Sequence, residues 1–173
     1  TIPQFVKVEK DVPQASVMVG HLGLSREDPD YFPMLVMNEI LGGCALTSRL
    51  GDEVREKHGL VYDVRSVNIP LPNAGAFYVQ LQTENGKVQK ALDLVKHELK
   101  RIKAKPVEGE EFTDAIDYLV GSFPLRVDSN AKILEYLALM QMENLGADYL
   151  ETWVARVKAV TPADVQRVAK KLI

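Results

Sequence analysis

Arg55 and Tyr62, seven residues apart across Gly59, are the side chains best suited to touch a ligand, one a cation and the other a hydrogen-bonding phenol. Each also has an ordinary structural reading: an Arg three residues after Asp52 on a helix makes a solvated ion pair, and a strand Tyr packs. Local pattern alone does not bring the two together. One compact zinc-hydrolase frame places two imidazoles one helical turn apart on a single metal, with a Glu to activate the bound water. None of the three histidines offers that frame: His21 falls on a strand, His58 at a helix C-terminus, and His97 beside Glu98 in a long helix with no second His nearby. The Gly42-Gly43 pair follows a helix rather than a strand, which argues against a phosphate-cradling loop. No local Ser-His-Asp or Cys-His pairing stands out, and Cys44 beside Gly43 reads as a small buried filler.

The elements that position Arg55 and Tyr62 follow from caps and periodicity. Thr47 or Ser48 can cap a helix with Asp52 and Glu53 in its first turn and Lys57 and His58 in its last, matching the helix dipole at both ends. Gly59 supplies the left-handed position after it. Leu46, Leu50 and Val54 repeat as one buried stripe, which places Arg55 beside the stripe, able to reach a groove. Val61-Tyr62-Asp63-Val64 then reads as strand, with the Tyr62 ring projecting from a sheet near the helix end.

Around this unit the chain is strand-rich first and helical later. Phe5-Val6-Lys7-Val8 is a short strand or extended lead-in, and Ala15 to Leu24 is strand with Val17 and Val19 on one face, Met18, Leu22 and Leu24 on the other, both faces partly covered. A helix opened by Asp28 or Asp30 with Pro29 runs through Leu41 and stops at Gly42-Gly43. After the strand Val61 to Ile69 comes Gly75 to Thr83, where Phe77, Val79 and Leu81 alternate with Tyr78, Gln80 and Gln82 as in a half-buried antiparallel pair. Lys87 to Lys103 is an amphipathic helix on Val88, Leu92, Val95, Leu99 and Ile102, broken at Pro106. A helix from about Glu108 to Phe123 and another from Ser129 to Leu145 follow; the second has an apolar surface wide enough for burial on more than one side, with Gly146 as its C-cap. Asp148 opens a short helix carrying Tyr149, Trp153 and Val157, and Thr161-Pro162-Ala163-Asp164 is the N-terminal box of the last. This order argues for an α+β domain, helices layered on one face of a largely antiparallel sheet.

Composition fits one such domain. With 173 residues, 46% of them hydrophobic, the chain can bury a sizeable core. A net charge of −3 without basic blocks makes nucleic acid an unsuitable partner. No apolar run approaches the ~20 residues of a membrane span, the N-terminus lacks a signal-like pattern, and a lone Cys allows no internal disulfide. The segment is expected to be soluble, in a bacterial periplasm or cytoplasm.

Gly42-Gly43, Ser48-Arg49-Leu50, Arg55-Glu56-Lys57 and Gly59-Leu60 followed by Tyr62 form a long ordered pattern. It resembles the signature of the pitrilysin/insulinase family of zinc metallopeptidases, which includes the mitochondrial processing peptidases. The resemblance covers nearly the whole chain and matches the C-terminal domain of a two-domain subunit. In that family the domain normally has a strand-helix unit before the stretch that begins at Ala15 and a final strand after the helix ending near Ile173. Residues 1–173 therefore read as a single domain excised from a longer subunit, and its sheet is expected to show an open edge or a gap.

The resemblance also implies a division of labour. Zinc would sit on a His-x-x-Glu-His helix in the missing N-terminal domain or in a partner subunit of a homo- or heterodimer. This segment would carry no cofactor and hydrolyse no peptide alone. By match of position Arg55 corresponds to the family's substrate-binding Arg and would hold a peptide carbonyl, while the Tyr62 hydroxyl would donate to the developing oxyanion. Gly42 and Gly43 match a Gly-rich turn that an extended peptide could approach. A second reading is a non-catalytic assembly subunit, like the core proteins of respiratory complexes that share this fold.

Overall fold

Alternating apolar residues on Gly75–Glu84 (β3) make it the centre of a three-stranded antiparallel sheet, order β1-β3-β2, in a computed structural model that describes residues 6, 11–44, 47–71 and 74–173. Gln14–Gly23 (β1) pairs along its whole length with β3, and Val61–Ile69 (β2) pairs on the other side. Phe77, Val79, Leu81 and Thr83 are buried on one face of β3, and their partners Val64 and Ser66 on β2 are buried with them. Tyr78, Gln80 and Gln82 point to the other face, as the alternation requires. The expected lead-in strand at Phe5 to Val8 lies outside the described residues apart from Val6.

Helices pack over the buried face. Tyr31–Asn38 (α1) ends in a π turn, Glu39–Gly43, and lies against Pro162–Leu172 (α6) and β2. Val88–Ala104 (α2) crosses β3 and meets α6, while Glu110–Ser122 (α3) meets Tyr149–Lys158 (α5). Trp153 of α5 stacks on Phe123 with ring centroids 4.3 Å apart, closing the helical end of the core. The Thr161 capping box forms as expected, its hydroxyl accepting from the Asp164 amide while the Asp164 carboxylate accepts from the Thr161 amide. Asp30, at the start of α1, pairs with Arg167 and Lys171 of α6.

Several expectations are corrected. The cover expected on both faces of β1 is confined to Val17, half-buried against the core, and Leu24 just past the strand; Met18 and Leu22 are 65% and 76% exposed on one face, and Val19 and His21 are exposed on the other. The helices cover β3 and β2 but stop short of β1. Asn130–Met142 (α4) is not buried on more than one side; only Met140 is buried, and Leu134, Leu137 and Met142 are exposed. Asn144, rather than Gly146, takes the left-handed position directly after its C-cap at Glu143, and Gly146 adopts a second one two residues later. In α2 the fully buried positions include Ala91 and Glu98, while Leu92 and Leu99 are only half-buried. Cys44 is half-buried rather than a core filler.

Candidate functional site

The helix bearing Arg55 starts as the sequence suggests and then winds more loosely. Ser48 is the cap, its hydroxyl accepting from the Gly51 amide at 3.3 Å. From Gly51 to Lys57 the turns are π-helical, a rare form that is frequent at functional sites. The widening carries into the C-terminus, where the Gly59 amide reaches the Arg55 carbonyl and the Leu60 amide reaches that of Val54. Gly59 adopts φ +57°, the left-handed conformation expected of it. The Thr83 hydroxyl donates to the Leu60 carbonyl at 2.6 Å, so β3 holds the turn between helix and strand.

Tyr62 owes its direction to an irregularity in β2. Val61 pairs with Thr83 and Val64 with Leu81, a register shift that places Tyr62 and Asp63 in a bulge. In a regular strand Val61 and Val64 would face opposite sides; the extra residue lets both enter the core and turns the ring between them outward. Tyr62 is 86% exposed, the most exposed aromatic side chain among the described residues. The spacing Val61-x-x-Val64 was the available signal for this bulge.

The two candidate side chains meet. The Arg55 guanidinium carbon lies over the Tyr62 ring, 5.7 Å from its centroid. Arg55 makes one weak ion pair, to Glu56 at 3.5 Å, whereas Asp52 binds Lys57 at 2.7 Å instead of pairing with Arg55. Its guanidinium is thus stacked on the ring but keeps donors for a carbonyl or carboxylate. The solvated pair with Asp52 does not form.

Gly42 and Gly43 differ. Gly42 is buried, and a Cβ there would stand 2.5 Å from the Ser66 backbone nitrogen of β2 and 2.9 Å from the Leu50 side chain. Its bareness serves the packing of α1 on the sheet. Gly43 is exposed, with the Glu39 carboxylate 2.6 Å from the place of a Cβ. Burial raises the Glu39 pKa, opposed by the Arg126 charge.

Among the described residues no three His, Cys, Asp or Glu side chains gather as a metal site. His58 contacts the Glu53 carbonyl at 2.7 Å, His21 lies 5.4 Å from Phe77 between ring centroids, and exposed His97 stands 4.0 Å from Glu98. The donor set does not fit zinc. Two charged groups escaped the sequence reading. Arg49 is buried and forks Glu111 of α3 through Nε at 2.6 Å and Nη2 at 2.8 Å, and Glu98 of α2 is fully buried. The first pairing spans 62 residues and has no local signal. The second had one, since Glu98 falls between Val95 and Ile102 on the buried stripe.

Residues 1–119 match the family model described as "Peptidase M16 inactive domain". An uncharacterised zinc protease of Streptomyces coelicolor is 31% identical over 163 residues, covering 92% of this chain and 35% of that protein. A probable mitochondrial-processing peptidase subunit beta of Schizosaccharomyces pombe is 31% identical over 187 residues, covering 99% and 40%. Among solved structures, a peptidase M16 inactive domain from Pseudomonas fluorescens superposes with a TM-score of 0.88 at 34% identity, covering 96% of this chain and 40% of that one. The chain therefore spans well under half the length of these relatives.

Proposed function

The chain belongs to the M16 peptidase family, as its inactive C-terminal domain, and from that premise we propose that it binds an extended peptide for hydrolysis at a zinc site on another domain or subunit. Residues 1–173 then act as one domain of a longer two-domain subunit, in a homo- or heterodimer. The observation that carries the reading is the Arg55 guanidinium stacked over the outward-facing Tyr62 ring. Stacking limits the rotamers of a long side chain before any ligand arrives, so less entropy is lost on binding. Arg55 holds a peptide carbonyl, and the Tyr62 hydroxyl donates to the oxyanion of the scissile bond. Gly43, exposed beside Glu39, lets the peptide approach, while Gly42 serves packing.

The proposal is tested with Arg55→Ala in the full assembly. A contact made to ground state and transition state alike should raise KM at least as much as it lowers kcat. Unchanged KM and kcat per folded molecule would overturn the peptide-binding role. The second reading, a non-catalytic assembly subunit, draws on the fold shared with a chain of Complex III2 from Candida albicans, TM-score 0.81 at 14% identity. An assembly subunit would retain its partner interactions, and bind no peptide, with or without Arg55.

A further inference from the structure

Arg55 has few contacts of its own, so its direction is inherited from the backbone of Gly51–Lys57. That segment is anchored from beneath. Leu50 and Val54 are fully buried, which seats its inner face on the core. Arg49 constrains it further. Its guanidinium makes two parallel bonds with Glu111 in the first turn of α3, a geometry that fixes orientation as well as distance. The Arg49 side chain is only 7% exposed, while Glu111 is 35% exposed, so the fork is shielded from solvent on the arginine side alone.

A second buried charge lies on α2, which packs against the same helix. Glu98 of α2 is 0% exposed; its Oε1 accepts from Arg101 at 3.0 Å. Burial raises its pKa, while the charges of Arg101 and then Arg49 lower it and Glu53 opposes them. Glu98 Oε2 and Arg49 Nη1 are both buried without a protein hydrogen-bond partner among the described residues. Replacing a buried ion pair by apolar residues of similar volume is often neutral or stabilising, so the presence of such a pair is weak evidence for a stabilising role.

We propose that Arg49 is a positioning residue, which by forking Glu111 of α3 sets the rotation of the helix that presents Arg55 to Tyr62. The inference rests on the reading that Arg55 and Tyr62 hold peptide, and adds what keeps them in register. Lys at this position would retain the charge but not the fork.

The test uses full-length protein with selectively labelled arginine. The ring-current shift that Tyr62 imposes on the Arg55 side chain reports their stacking directly, with Tyr62→Leu as the zero. Arg49→Lys and Arg49→Met are expected to fold yet lose most of this shift. Binding of fluorescein-labelled β-casein, an unfolded polypeptide, should weaken about tenfold, as for a modest misplacement of a binding group. The double variant Arg49→Lys/Arg55→Ala should bind no more weakly than Arg55→Ala, because Arg49 acts through Arg55. If the Arg49 variants fail to fold, Glu111→Gln breaks the fork from its more exposed side, with the same loss of the ring-current shift expected. An unchanged ring-current shift in folded variants overturns the positioning role. Should Arg55→Ala leave casein binding unchanged while Arg49→Lys abolishes the shift, the peptide-binding reading fails and the positioning role stands.

Discussion

β1 and β2 flank the same central strand with similar apolar content, yet one edge is held and the other is open. β2 is gripped by the π turn Glu39–Gly43 and by the helix of Arg55, and it buries Val61, Val64 and Ser66. β1 pairs only with β3 among the described strands, and Met18, Val19 and Leu22 stay exposed. Residue type is not the cause. The helix layer sits over β3 and β2, so the same alternation gives a core strand on one side and a bare one on the other. The candidate site lies at the held edge, where a bulged strand and a π-helical segment are both stabilised by neighbours.

The largest expected effect tests the centre that both edges share. Phe77→Ala on β3 should lower unfolding free energy by ~3–5 kcal/mol in urea titrations, the usual cost of emptying a buried Phe site. A loss below ~1 kcal/mol would show that β3 is not the core strand described here.

At the held edge, Tyr62→Phe should leave stability unchanged, since the residue is 86% exposed, but lower kcat of the full assembly by ~10²–10³ fold, the scale of losing one oxyanion donor. Steady-state kinetics beside thermal melts separate this from a packing role, in which the melting temperature would fall and turnover per folded molecule would hold.

Remote from both edges, the α6 cap provides a graded comparison. The Arg167 guanidinium, with the Thr161 hydroxyl and amide, pulls the Asp164 pKa down from 3.8 to about 2. A folded-state pKa below the unfolded one stabilises the fold above the unfolded value, and that stabilisation is lost as pH falls through the folded value. Between about pH 4 and pH 2 melting temperature should therefore drop in wild type, with Asp164→Asn flattening that part of the profile. A parallel slope in both proteins would contradict the cap's ionic contribution. Thr161→Ala should cost ~0.5–2 kcal/mol at neutral pH.

The smallest effect belongs to the open edge. Leu22→Ser should change stability by no more than ~0.5 kcal/mol, because the side chain is 76% exposed. A loss comparable to that of Phe77→Ala would mean that β1 is covered in solution by something beyond the described residues.

Much of the fold was legible because its signals are local. Gly59 ending the helix, the Thr161 box, the alternation of Phe77, Val79 and Leu81, and the stripe of Tyr149, Trp153 and Val157 each depend on backbone geometry within a turn or a strand. The α4 expectation failed because an apolar surface reports a capacity for burial, and neighbours decide whether it is used.

The sequence by itself determined the family pattern, the elements that carry Arg55 and Tyr62, and the absence of a local zinc frame, since each is written in residue type and short spacing. Tertiary structure alone decided that Arg55 stacks on Tyr62, that Gly42 is spent on Ser66, and that Arg49 reaches Glu111 across 62 residues. These depend on where the β2 bulge and the π turns aim each side chain. A bulge or a π turn moves a side chain from one face to another for a one-residue change in register, and its place is set by which residues the core admits.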